Sequence, residues 1–277
     1  MDIDSHQHFW HYSPAEHTWM SAEMPGLKRD RLPPDLKPLL DANGLGGTVA
    51  VQARQSLAET EWLLALAEQY PFILGVVGWV DLQSPAVDEQ LWRFVGNPKL
   101  VGVRHVVHDE PDDQFMLRPA FLRGLEALGK FDLAYDLLLF PRHLPVAAQV
   151  VRQFPQQRFV LDHIAKPFIK AGRLPPWDED LRALARFDNV TCKVSGMVTE
   201  AAWQQWRPED FKPYLDVVFD AFGASRLMFG SDWPVCTLAA HYHEVAGLLR
   251  DYLQDLPSEA AARVMGRNAV EAYRLNT

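Results

Sequence analysis

Leu100-Val101-Gly102-Val103-Arg104-His105-Val106-Val107 is a short apolar run that carries two ionisable side chains near its end. Nearly continuous apolar character over so few residues marks a parallel strand covered on both faces. Seven more runs of this kind stand at residues 2–7, 47–53, 72–80, 132–139, 158–163, 190–195 and 227–231. Helix-like segments with apolar residues three and four apart separate them, such as the one carrying Trp62, Leu63 and Leu66. Ser56 precedes that segment and Glu59 follows three positions later, a capping box; Ser84-Pro85 opens the next helix with proline suited to its first position. Eight alternations of strand and helix predict an α/β chain folded as one (β/α)8 TIM barrel, a single domain over residues 1–277. The length agrees, because such barrels typically run to about 250 residues. No Gly/Ser-rich or charge-rich linker divides the chain. Its longest stretch without a periodic pattern, roughly residues 10–35, reads as a lid or binding wall.

A barrel places its working side chains at the C-terminal ends of its strands. The polar residues at those ends are Asp4, His6 and His8; Gln52 and Arg54; Trp79 and Asp81; Arg104 or His105; Tyr135 or Asp136; His163; Lys193 and Ser195; and Asp232. Side chains two apart on a strand share a face, so His6 faces with His8, Gln52 with Arg54, Trp79 with Asp81, and Lys193 with Ser195. Ionisable groups gathered in a barrel mouth are costly to desolvate, which argues that they have a task. The bland alternatives are explicit: hydrogen-bonded core histidines for His6 and His8, a turn cap for Asp232, and an ion pair with Asp136 for Arg104. The segment His241-Tyr242-His243-Glu244 lacks HExxH spacing and reads as an exposed helix start.

Composition excludes several classes. The formal net charge of −9, from 27 Lys+Arg and 36 Asp+Glu, leaves no basic stripe for a nucleic-acid backbone. The N-terminus has no basic region followed by an apolar one, and no stretch is long and apolar enough to span a bilayer, so a cytoplasmic location and no membrane partner are expected. Two cysteines, Cys192 and Cys236, form no CxxC pair and read as buried small hydrophobes. There is no GxSxG, GxGxxG or GxxxxGK, which disfavours serine esterases, dinucleotide enzymes and P-loop enzymes.

Six segments together resemble the amidohydrolase superfamily, in its branch of L-fuconolactonase-like sugar-lactone and pyrone-dicarboxylate lactonases. They are Asp2–Trp10, Val51-Gln52-Ala53, Gly102-Val103-Arg104-His105, Leu161-Asp162-His163-Ile164-Ala165-Lys166-Pro167, Lys193-Val194-Ser195-Gly196 and Met228-Phe229-Gly230-Ser231-Asp232-Trp233-Pro234. They span almost the whole chain in the family's order. The resemblance implies a hydrolase that opens a sugar-acid lactone of the L-fuconolactone, L-rhamnonolactone or L-galactonolactone type, as in L-fucose catabolism. Asp232 matches the superfamily's water-activating carboxylate, His6 and His8 match its first-strand pair, and His163 matches its strand-six histidine. Arg104 joins these as a candidate carbonyl-polarising group. Gln52, Arg54, Trp79, Lys193 and Trp233 are candidates for binding sugar hydroxyls and forming an apolar wall.

In metal-using relatives the first-strand histidines hold a divalent ion, and His6, His8 and Asp232 could hold one here. This sequence departs from their pattern: strand four offers Arg104-His105 and strand five Tyr135-Asp136 where such relatives commonly place a bridging lysine and a histidine. A guanidinium at Arg104 would repel a cation. The expectation is therefore that no cofactor is required, with a single ion such as zinc as the alternative. The rivals are a metal-dependent amidohydrolase or decarboxylase of the same superfamily and a barrel that only binds sugar acids. The sequence leaves the lactone's ring size and stereochemistry open, and with them whether the chain forms a homo-oligomer.

Overall fold

The eight apolar runs all become strands, and they pair in sequence order, β1 to β8, every registered pair parallel. They are β1 (Asp2–Gln7), β2 (Leu45–Val51), β3 (Ile73–Gly78), β4 (Leu100–His105), β5 (Ala134–Leu137), β6 (Phe159–Leu161), β7 (Val190–Val194) and β8 (Leu227–Phe229). The structure is a computed structural model and describes residues 1–276. Helices α1 (Pro33–Ala42), α2 (Leu57–Gln69), α3 (Val87–Trp92), α4 (Pro119–Lys130), α5 (Leu144–Gln153) and α6 (Trp177–Ala185) alternate with the strands. After β7 come a short α7 (Met197–Glu200) and α8 (Pro208–Phe222). After β8 come α9 (Tyr242–Leu253), α10 (Ser258–Ala262) and α11 (Asn268–Tyr273), with a π turn at Arg263–Arg267 between the last two. Among the described residues no helix is long and apolar enough to cross a membrane.

Two apolar layers hold this arrangement. Outward-facing strand residues, among them Val76, Val103, Tyr135, Leu161 and Phe229, pack against the helices in one large cluster. A smaller cluster of Val49, Val51, Val77, Ala134, Val160 and Met228 continues into Tyr273 and Leu275 from the C-terminal segment. The chain's last turn thus packs against the inner face of the barrel, and Tyr273 carries its hydroxyl to Asp136 of β5 (2.6 Å).

The seam between first and last strands is made differently. Asp232 N donates to His6 O (2.8 Å) and His8 N donates to Trp233 O (2.7 Å), beyond the three residues of β8 itself. Ser5 Oγ donates to Phe229 O (2.6 Å), and the buried Asp4 carboxylate receives Ser231 N (2.9 Å), Ser231 Oγ (2.6 Å) and Tyr242 OH (2.8 Å). Closing the barrel and bringing the segments of His6, His8 and Asp232 together are one event.

The stretch expected to run over residues 10–35 ends at Leu32, just before α1 begins, and is ordered by a backbone bridge between Trp10 and Arg31 and by a small cluster of Trp10, Met20 and Leu27. It forms a wall over the barrel mouth. Among the outer helices, Gly124 of α4 lies so close to the chain that a Cβ there would sit 2.2 Å from Leu82 O. Gly124→Ala should therefore cost about 1–3 kcal/mol by overpacking. The check is a thermal or urea melt, and an unchanged midpoint would show that α4 packs more loosely than described.

Candidate active site

His6, His8, His163 and Asp232 meet at the mouth, all essentially removed from solvent. Asp232 Oδ1 lies 3.4 Å from His8 Nε2 and 3.9 Å from both His6 Nε2 and His163 Nε2. The two first-strand histidines face each other, Nε2 to Nε2, at 3.2 Å. His8 Nδ1 donates to Val51 O (2.8 Å), which leaves the lone pair of a neutral ring on Nε2. Arg104 Nη1, a group that can only donate, stands 3.4 Å from His6 Nε2, while Asp162 Oδ1 stands 3.2 Å from His6 Nδ1. Lys193 Nζ, which also can only donate, stands 3.1 Å from the same His6 Nδ1. A neutral His6 that accepts from Lys193 carries its proton on Nε2 and donates it to His8 Nε2; in the other tautomer two lone pairs face each other, a gap that a shared proton or a cation would fill.

The same three donors fit a divalent ion. A tetrahedral zinc site with bonds of about 2.0–2.1 Å has edges of roughly 3.3 Å, close to the contacts of His8 with His6 (3.2 Å) and with Asp232 (3.4 Å), while the His6–Asp232 edge is longer at 3.9 Å. The carboxylate of Asp162 behind His6 and the carbonyl of Val51 behind His8 are the outer partners that such ligands use.

Below these groups lies an ionic layer inside the barrel. Lys193 Nζ pairs with Asp136 Oδ2 (2.6 Å) and Asp162 Oδ1 (2.9 Å) and touches His6 Nδ1 (3.1 Å). Arg104 donates to Asp162 Oδ2 (2.9 Å) and to Gln52 Oε1 (3.0 Å). Arg104 and Lys193 face Asp136 and Asp162, so the guanidinium is balanced and its repulsion of a bound cation is correspondingly reduced. Burial raises the Asp162 carboxyl, but Lys193, His6 and Arg104 outweigh it and hold the group well below the usual carboxylate range. Burial pushes Asp136 up to about 6, eased by Lys193 and reinforced by Asp162. His6 and His163 are both driven well below the ordinary histidine value, chiefly by burial. At Asp232 burial again acts upward, yet His163 and His8 prevail and keep the carboxyl below its ordinary value.

His163 reaches this cluster by an unusual path. It follows Asp162, and strict strand alternation would turn the two to opposite faces. Residues His163, Ile164, Ala165 and Lys166 all have positive φ, and this left-handed turn brings His163 into the mouth beside Asp162. Nδ1 of His163 shares a hydrogen bond with Ser195 Oγ (2.9 Å). Gly196, itself at φ +63°, lies where a Cβ would be 2.6 Å from His163 Nδ1, so only glycine fits.

A chamber of about 310 Å³ opens onto His8, Arg104, His163 and Asp232. Its walls include Trp10, Trp19, Met24, Leu138 and Trp203, with His108, Lys166 and Glu200 as further polar groups. Lys166 Nζ is bonded to Glu200 Oε1 (3.1 Å), and His108 is pushed down to about 3 by burial and then by Lys166 and Arg104. A wider cleft of about 1010 Å³ continues outward past Lys166 and Trp203.

The other sequence candidates lie outside the chamber wall. Gln52 and Lys193 are wholly buried and support Arg104 and Asp162. Arg54 pairs with Glu16 and Glu59 at the rim. Trp79 Nε1 donates to His105 Nδ1 (3.4 Å), and the Trp233 ring packs against Phe9 and lines a neighbouring cleft. Arg104 pairs with Asp162 rather than Asp136, and His163 is held by Ser195. Asp162, His108 and Lys166 were not among the sequence candidates for the site, and Asp136 stood there only as an alternative to Tyr135 at the end of β5. The apolar alternation of β6 did carry a signal for Asp162, since it continues the inward face of Val160. Trp10 and Trp19, from the wall segment ahead of α1, line the chamber.

Comparison with known proteins places the chain among close relatives. A family model described as Amidohydrolase matches residues 3–275. A protein named L-fucono-1,5-lactonase from Burkholderia multivorans is 43% identical over 284 residues, covering 99% of this chain and 96% of the relative. A second of that name, from Burkholderia ambifaria, is 39% identical with the same coverage. A crystal structure of an amidohydrolase from Burkholderia multivorans with bound zinc superposes with a TM-score of 0.96 at 42% identity, over 100% of both chains.

Removing Lys193 should expose how much the mouth relies on the layer beneath it. Lys193→Met leaves Asp136 and Asp162 facing each other without their shared cation, a loss on the order of 3–5 kcal/mol for a buried pair. A fall of that size in urea-unfolding free energy is expected, and an unchanged value would mean the layer contributes nothing to the fold.

Proposed function

Because the chain belongs to the amidohydrolase family, we propose that it hydrolyses a sugar-acid lactone, of the L-fuconolactone, L-rhamnonolactone or L-galactonolactone class, at the chamber over Asp232. The observation that carries this reading is the buried Asp232 carboxylate held among three histidines beside a chamber of small-sugar size. The two relatives named L-fucono-1,5-lactonase support the choice of substrate class.

A lactone is an ester closed into a ring, so its opening needs an activated water, stabilisation of the developing oxyanion and a proton for the departing ring oxygen. Asp232 accepts the water proton as oxygen adds to the ring carbonyl. A carboxyl held below its ordinary value is ionised at neutral pH, and burial drives His6 and His163 well below the ordinary histidine value. His163 and Arg104 border the chamber and are the groups to polarise the carbonyl; such a donor is worth about 10²–10³ in turnover. When the tetrahedral intermediate collapses, the bond from carbonyl carbon to ring oxygen breaks and Asp232 returns its proton to that oxygen. The new carboxylic acid then ionises, releasing one proton per turnover. Trp10 and Trp203 offer flat walls for the sugar's carbon face, and Lys166, Glu200 and His108 offer hydroxyl partners.

His6, His8 and Asp232 would hold a divalent ion such as zinc. When bound it would polarise a carbonyl oxygen and make water more acidic. Because an ester carbonyl is already activated and the proton steps are assigned to Asp232, turnover is expected to continue without the ion. The test is a proton-release assay over a panel of aldonolactones, with and without chelator and against a no-enzyme control. Most of the activity should survive chelation; activity abolished by chelator and restored by zinc would make the ion part of the reaction. Absence of turnover on every lactone would overturn the proposed function itself.

Asp232→Asn should lower kcat by about 10²–10⁴-fold, the usual contribution of a positioned general base. Binding of the product acid, followed by calorimetry, should survive. If the Asp232→Asn protein turned over like the native one, Asp232 would have no place in the mechanism.

A further inference from the structure

Behind the proposed active site, on the other side of Trp233, lies a separate cleft of about 650 Å³. Its polar lining includes Arg29, Arg31, Asp35, His241 and His243. Arg31 is the unusual member. Its residue is only 7% exposed, and a guanidinium stays protonated in any protein environment. Yet its side chain makes one hydrogen bond, from Nη2 to the carbonyl of Gly26, and its buried Nε has no partner. The remaining contact is the Trp233 ring, 5.9 Å from the guanidinium carbon. A buried charge normally has an opposite charge against it, because desolvation without one is expensive. Lys193 and Arg104 inside the barrel obey that rule, and Arg31 does not.

The groups around it explain what is missing. Arg29 is exposed at the edge of the cleft and, among the described residues, enters no ion pair. His241 and His243 stack with their rings 5.8 Å apart, and both are exposed. The backbone N of His241 is already capped by Glu244 (2.6 Å), so the imidazoles themselves remain available. The acid of the cleft, Asp35, accepts from Leu32 N (2.9 Å) and does not pair with Arg31. Donors therefore outnumber acceptors along the lining, in a chain whose net charge is −9.

We propose that this cleft binds a small oxyanion, a carboxylate or phosphate, between Arg31, Arg29 and the His241–His243 pair. A planar guanidinium suits either group through paired N–H donors. The bound anion would supply the charge that Arg31 lacks and would rest near the Trp233 ring, one residue from Asp232. The site is separate from the chamber: Trp233 faces the cleft while Asp232 faces the chamber.

Calorimetric titration of the full chain tests this, first with inorganic phosphate and separately with L-fuconate, the acid that ring opening would release. Arg31→Gln should weaken anion binding by about tenfold and the exposed Arg29→Gln by about threefold, as expected for removing a charged donor. The Asp232→Asn protein should bind the anion at this site as the native chain does. Should Arg31→Gln fail to fold by circular dichroism, Arg29→Gln and His243→Gln decide the matter alone. L-fuconate is also the product expected in the chamber, so its binding counts for this cleft only where Arg29→Gln or His243→Gln weakens it; phosphate binding weakened by the same substitutions identifies phosphate as the anion. No binding of either, or binding that Arg29→Gln and His243→Gln leave unchanged, overturns the proposal. The phosphate arm involves no turnover, so its failure leaves the lactone-hydrolysis reading standing.

Discussion

The carboxylate of Asp4 is where the barrel closes. It is fully buried, which alone would disfavour its charge, and four donors answer it: Ser231 N and Oγ, Tyr242 OH and His6 N. Burial still holds the group above its ordinary value, so the bonds offset the desolvation only in part. Through them β1 is tied to the segment after β8, and α9 is tied to both. His6 and His8 follow Asp4 by two and four positions, and Asp232 follows Ser231 directly. The relative placement of the histidine pair and the carboxylate is therefore set by β1 and by its hydrogen bonds to the segment just past β8, and a bonded framework holds a reacting geometry more tightly than a free loop does.

Beneath that seam the barrel interior is ionic where an ordinary TIM-barrel core would be filled with branched apolar residues. Lys193, Arg104, Asp136 and Asp162 form one connected layer, and Tyr273 from the last turn of the chain reaches into it. Such a layer is weak evidence of stability, since buried ion pairs often do no better than apolar residues of the same volume. Its consequence here is directional. It fixes His6 between an acid and a base on one nitrogen and leaves the other nitrogen pointing into the mouth.

Much of this was legible in the residues. The eight strands fall within the apolar runs or within a few residues of them, because strands buried on both faces leave a continuous signal. His6 with His8, and Asp232 after β8, could be placed at the mouth from strand ends alone. Period-two alternation failed at β6, where four left-handed residues turn His163 back beside Asp162; nothing in Asp-His-Ile-Ala-Lys marks that conformation. It also left Lys193 as a candidate for substrate binding, since one sequence does not reveal that two acids from neighbouring strands enclose it. The chamber walls from the loop over residues 10–35 were legible as a wall, but not as the particular rings Trp10 and Trp19 that face inward.

The central claim is that Asp232 handles a proton and forms no bond to the substrate. A single turnover with enzyme in excess over an L-fuconolactone, run in ¹⁸O-labelled water, tests it most directly. Base catalysis predicts that the label enters the product carboxylate in the first turnover and that the Asp232 side chain stays unlabelled by peptide mass spectrometry. Label accumulating in Asp232, with an unlabelled first product, would make Asp232 a nucleophile and contradict the account.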